Sequence, residues 1–86
     1  MTIALIDNGS LEPAATRNLR AVALELSASI DEIVHPVSWK HSDRIALSAL
    51  DGDAPGTTLA PFIRSHLARG ERQFVFVPFF ISAQGA

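Results

Sequence analysis

Thr2-Ile3-Ala4-Leu5-Ile6, closed by Asp7-Asn8-Gly9-Ser10, is the stretch on which the fold turns. Five residues without polar alternation suit a strand covered on both faces, as in a parallel sheet held between helices. The Asp-Asn-Gly-Ser cluster that ends it is turn-forming. Pro13 follows in a position suited to a first helical turn. Beyond it Leu19, Val22, Ala23, Leu26 and Ile30 recur at helical spacing, which predicts one apolar face. Arg17, Arg20 and Glu25 fall off that stripe and are expected to face water.

Ile33-Val34-His35-Pro36-Val37 reads as a second, shorter strand, and the missing amide hydrogen of Pro36 favours a sheet edge. Residues 38–57 carry the weakest pattern: Arg44 to Leu50 suggest about two helical turns, and Asp51 to Gly56 read as a loop. Thr57 or Thr58 then caps a second helix whose apolar face is Leu59, Phe62, Ile63 and Leu67, stopped at Arg69-Gly70. Phe74-Val75-Phe76-Val77 with Phe79-Phe80-Ile81 is the most apolar run of the chain. Its apolarity alone predicts a central strand, with Pro78 near its end.

The order β-α-β-α-β defines an α/β domain with a parallel sheet and right-handed crossovers. A strand order of 2-1-3 would set the loops after strands one and three side by side at a topological switch point, where open α/β sheets bind ligands. Asp7-Asn8-Gly9-Ser10 and Ser82-Ala83-Gln84-Gly85 would line that crevice. In that order strand three lies at an edge, in tension with its apolarity.

With 86 residues, 48% hydrophobic and 19% charged, the chain fits one small globular domain spanning 1–86. The lack of cysteine excludes disulfides, thiolate metal sites and thiol nucleophiles. A net charge of -2 gives no basic footprint for nucleic acid. There is no apolar run of the roughly 18 residues a membrane span needs, and no basic region ahead of the first strand, so the default expectation is a cytoplasmic protein.

The Asp7–Ser10 loop precedes a helix, where amides and dipole favour an anion. It is neither a phosphate-binding P-loop nor a dinucleotide fingerprint, and its residues also serve a plain strand-to-helix turn. His66 sits beside Leu67 and reads as a helix-flank residue, and His35 as a strand-end residue. His41 lies in Ser38-Trp39-Lys40-His41-Ser42-Asp43, a chemically dense stretch that reads equally as a recognition loop or a turn with a half-buried indole. No two histidines have the spacing of a helical metal site.

The chain resembles the CbiX-type sirohydrochlorin chelatases, the small members of the class II tetrapyrrole chelatases. Ile3-Ala4-Leu5-Ile6, Asn8-Gly9-Ser10, Pro13 and the helix to Leu26 match the opening block of that family, and Phe74 to Ala86 match its closing block. The resemblance implies a three-layer chelatase-like fold. It also implies insertion of Co²⁺, Ni²⁺ or Fe²⁺, as substrate rather than tightly held cofactor, into an anionic tetrapyrrole of cobalamin or sirohaem-type biosynthesis. Two family histidines bind the metal and accept pyrrole protons, roles that imidazole suits. Here Asn8 stands at the first and Ala86 at the second, and neither offers a base.

Asp7 is then the one new metal-competent group, helped by Ser10 and Gln84, and lost or reduced insertion is expected. Substitute chemistry by Asp7 and His41 is one alternative. A non-catalytic scaffold that pairs with another chelatase-like copy is a second. Gly9, Ser10, Ser82, Gln84 and Gly85 are the expected ligand contacts. Because three parallel strands make an unfinished sheet, a homo-oligomer or a further C-terminal segment is expected to complete it.

Overall fold

The computed structural model describes residues 1–50 and 54–80. Strand β1 (Thr2–Asp7) leads to helix α1 (Pro13–Ile30) and strand β2 (Val34–Ser38). Two 3₁₀ turns, Ser42–Arg44 and Leu47–Leu50, then precede helix α2 (Leu59–Ala68) and strand β3 (Phe74–Pro78). The sheet is parallel throughout, in the order β2-β1-β3. The chain is thus a small α/β domain with an open three-stranded sheet.

All six residues of β1 are buried, and their alternation feeds two separate cores. Ile3 and Leu5 pack with Leu19 and Ala23 of α1 and with Val34. Ala4 and Ile6 pack with Val37 and with Phe62 of α2. The helices therefore lie on opposite faces, as two crossovers of one hand require when the chain moves first to one side of β1 and then to the other. Burying side chains such as Ile3, Leu5 and Ile6 contributes about 1.5–3 kcal/mol each.

The apolar run of β3 does not make it central: it pairs with β1 alone among the described residues, and Val75 and Phe76 are 40% and 44% exposed. Centrality went to β1, the strand that both crossovers flank. Three further expectations change. Ile30 and Ile33, 46% and 74% exposed, lie beyond the buried part of their elements. The turns expected at Arg44–Leu50 form as 3₁₀ rather than α-helix. Arg17 and Arg20 do not simply face water, because their guanidinium groups donate to the carbonyls of Ala49 and Ala54 and tie the long connection onto α1.

The outer edge of β2 is closed residue by residue. Trp39 N–H bonds to Asp7 C=O, so by alternation Val34, Pro36 and Ser38 point their backbone outward. Val34 N–H donates to Ser27 Oγ at 2.8 Å, Ser38 N–H donates to Thr57 C=O at 2.8 Å, and Pro36 has no hydrogen to donate. Ser27 Oγ in turn donates to Ala23 C=O, joining the last turns of α1 to the strand that follows. Replacing Ser27→Ala leaves the buried Val34 amide without this acceptor, so the variant should lose about 1–2 kcal/mol in urea-unfolding experiments.

Candidate functional site

At the C-terminal end of the sheet the Asp7–Ser10 turn is built for backbone reasons. Asp7 Oδ1 accepts the Gly9 N–H at 3.0 Å, and Ser10 Oγ accepts the Glu12 N–H at 3.0 Å. Gly9 has φ +90, and a Cβ there would lie 1.9 Å from the Lys40 carbonyl oxygen. Only glycine meets both conditions. Asp7, 9% exposed, thus spends one carboxylate oxygen on the turn, while Asn8 is exposed. The helix N-terminus does not begin directly at this turn: its cap is Glu12, with Pro13 at the first position.

The same turn brings the 39–41 segment to the crevice. Trp39 N–H donates to Asp7 C=O at 2.9 Å, and Lys40 backs onto Gly9. His41 begins the next 3₁₀ turn with φ 80. On the other flank Phe79 N–H donates to Ile6 C=O at 2.7 Å, so β3 delivers Pro78, Phe79 and Phe80 to the same end of the sheet. The expected contacts Ser82, Gln84 and Gly85, with the position Ala86, lie outside the described residues. Between the flanks is an open apolar cleft of about 280 Å³, walled by Ile6, Trp39, Leu59, Phe76, Pro78 and Phe80. Trp39 and Phe80 are 57% and 59% exposed there. Among the described residues no three histidine or acidic side chains gather at a metal-binding distance.

A second site was not visible in the spacing of the histidines. His66 is buried at 7% exposure, whereas the adjacent Leu67 is 42% exposed, the reverse of the expected helix face. Leu59, Phe62 and His66 stand at offsets of three and seven, and that stripe, not one through Leu67, meets the sheet. His35 alternates with Val34 and so shares the α2 side of β2 with Val37. The ring centroids of His35 and His66 are 5.2 Å apart, edge to face, and Phe62 lies 5.3 Å from the first and 4.2 Å from the second. The signal that would have found the pair is tertiary: a strand position and a helix position that the crossover brings together.

His66 Nδ1 lies 3.0 Å from the Phe62 carbonyl, one turn back. A carbonyl only accepts, so Nδ1 carries the hydrogen and Nε2 is the nitrogen left for other partners. Burial lowers the pKa of His35 below its ordinary value of 6.5, and the neighbouring His66 and Arg69 push it the same way, against a smaller opposite effect of Glu71. α2 ends with a Schellman arrangement, Glu71 N–H to His66 C=O and Gly70 N–H to Leu67 C=O, which sets Arg69 beside the pair. Thr58 occupies the N-cap position of α2 without a side-chain cap.

No family model, curated protein or solved structure matches the chain. Among the described residues no helix is long and apolar enough to cross a membrane.

The depressed pKa of His35 fixes a pH dependence. The unfolded chain takes up a proton near pH 6.5 while the folded chain resists it, so the neutral imidazole's contribution is complete above that value. It is lost as pH falls from 6.5 towards the lower folded pKa. Urea midpoints measured between pH 8 and pH 5 should therefore drop on the acid side, and His35→Gln should flatten the part of that drop due to this residue.

Proposed function

We propose that this domain is a CbiX-like, tetrapyrrole-binding member of the class II chelatase group in which metal insertion is lost or much reduced. The observation that supports this reading is the aromatic cleft of about 280 Å³ beside the Asp7–Ser10 turn, at the switch point between β1 and β3. A flat macrocycle lays one face of its ring system on Trp39, Phe76 and Phe80, where ring stacking adds to simple burial. The anionic edge substituents remain in solvent or reach the amide of Ser10, since that of Gly9 is held by Asp7.

Insertion of Co²⁺, Ni²⁺ or Fe²⁺ needs a base for the pyrrole protons and a ligand to deliver the metal. Asn8 supplies no base, and Asp7 already has one oxygen bonded to Gly9. A lone carboxylate binds these ions weakly compared with a pair of imidazoles. His41, two residues after Trp39, is the nearest imidazole in sequence to the cleft wall, and substitute catalysis through Asp7 and His41 is the version of this function that retains turnover.

The decisive test is titration with sirohydrochlorin, following tetrapyrrole absorbance and quenching of the single tryptophan. Saturable quenching is expected in the wild type. The affinity read from tetrapyrrole absorbance should fall about tenfold in Trp39→Ala, which has no tryptophan to quench; that factor corresponds to roughly 1.4 kcal/mol of lost stacking. Adding Co²⁺ or Ni²⁺ should give metallation no faster than without protein. Rates well above background would overturn the reduced-insertion reading, and an absence of both quenching and spectral change would overturn ligand binding.

The exposed Val75 and Phe76 of β3 favour a second reading, a non-catalytic scaffold in which two copies join across this side of the sheet. It predicts a dimer by light scattering that Phe76→Glu converts to monomer. A monomer at all concentrations would reject it.

A further inference from the structure

The groove between β2 and α2 has no part in the reading above, yet it gathers most of the chemistry that the crevice lacks. Its volume is about 360 Å³, within the range of roughly 300–1,000 Å³ of small-molecule sites. Phe62, Pro36 and Pro61 give it apolar walls, and His35, His66, Ser65 and Arg69 give it polar ones. Arg69 and Ser65 are one helical turn apart, and Arg69 Nη2 lies 3.4 Å from Ser65 Oγ. Arg69 lines the groove beside the two imidazoles. Among the described residues the only acidic group acting on His35 is Glu71, and His66 and Arg69 each act on it more strongly in the opposite sense.

We propose that this groove is a binding site for a small organic oxyanion, a carboxylate or phosphate carried on an apolar body. Arg69 is the permanent charge, and its planar fork matches either oxyanion. Ser65 Oγ adds a donor. His66 holds its Nδ1 hydrogen on Phe62, so Nε2 is the ring nitrogen left to meet the ligand. The ligand's apolar body lies against Phe62 and the prolines. A divalent metal fits less well. Among the described residues two imidazoles are the only strong metal ligands lining the groove, and Arg69 repels a cation. Proton coupling runs through His35 on β2, which faces His66 and Arg69 of α2 and Glu71 just after it. Bound anion and bound proton therefore favour one another.

The experiment measures binding by titration calorimetry and by histidine ring NMR signals, using inorganic phosphate, phenyl phosphate and benzoate at pH 6 and pH 8. Phenyl phosphate should bind more tightly than inorganic phosphate, because its ring uses the apolar wall. Comparison with benzoate separates the phosphate from the carboxylate source. All binding should be tighter at pH 6, with shifts confined to His35 and His66 among the three histidines. Arg69→Gln should weaken it at least tenfold. Arg72→Gln, whose guanidinium bonds Leu67 and Glu71 carbonyls instead, should leave it unchanged. Because Arg69 is exposed, its replacement should preserve the fold, checked by circular dichroism. The proposal is overturned if the wild type shows no histidine shifts with any of the three anions. Equal affinity in Arg69→Gln, or Ni²⁺ binding that excludes phosphate from the groove, overturns it as well. Sirohydrochlorin binding through Trp39 is read at the other end of the sheet, so either result can fail without the other.

Discussion

The constraint on which the molecule depends is the burial of β1 on both faces. A strand whose six residues are all withdrawn from water demands an apolar layer above and below it. The chain supplies these with one helix of 18 residues and one of 10. The longer helix covers the Ile3–Leu5 face generously and reaches across to β2. The shorter one covers Ala4, Ile6 and Val37 but leaves the Phe76 flank of the same face open. The aromatic cleft is the direct result: it is the part of the sheet that a ten-residue helix cannot cover.

The same shortness explains the histidine groove. α2 has barely three turns, so its only long stripe of contact runs Leu59, Phe62, His66, and the last of these must be accepted into the interior even though it is polar. The cost is offset by the Nδ1 bond to the Phe62 carbonyl and by the tilted and edge-to-face packing of three rings. The Schellman turn then stops the helix and places a cation at its end, where the helix dipole favours positive charge. Polarity at this end of the sheet and apolarity at the other thus follow from one helix of fixed length and register.

Much of this was legible in the sequence. The uniform run Thr2–Ile6 announced a two-sided strand, Pro13 marked the start of α1, Pro36 marked an edge, and Arg69-Gly70 marked the end of α2. Each is a local signal with a local cause. The 2-1-3 order entered as an assumption that the sheet bears out, because crossover handedness alone does not choose it and the apolarity of β3 by itself misplaced that strand at the centre. The choice between His66 and Leu67 was not accessible, because both fit a helical face and only the sheet decides which one turns inward. Nor were the bonds of Arg17 and Arg20 to carbonyls more than 30 residues away, since nothing local marks a distant acceptor. At the crevice, the turn geometry of Asp7 and Gly9 was readable as one of two alternatives. The aromatic wall was not, because Trp39, Phe76 and Phe80 come from separate segments.

The backbone of β3 bears on how its exposed aromatic side chains are used. Thr2 N–H bonds to Gln73 C=O and Phe79 N–H bonds to Ile6 C=O, so by alternation positions 73, 75, 77 and 79 face β1. Positions 74, 76 and 78 face the open edge. Of these Pro78 has no hydrogen, which leaves the amides of Phe74 and Phe76 as the donors that β3 offers to an added strand. Two donors make a short ladder, and proline is one of the devices by which edge strands resist pairing. Phe74 and Phe76 meanwhile stack on each other with ring centroids 5.8 Å apart. The resource of this edge is therefore its aromatic surface more than its backbone, which favours a flat ligand laid on the rings over a partner strand zipped along the sheet.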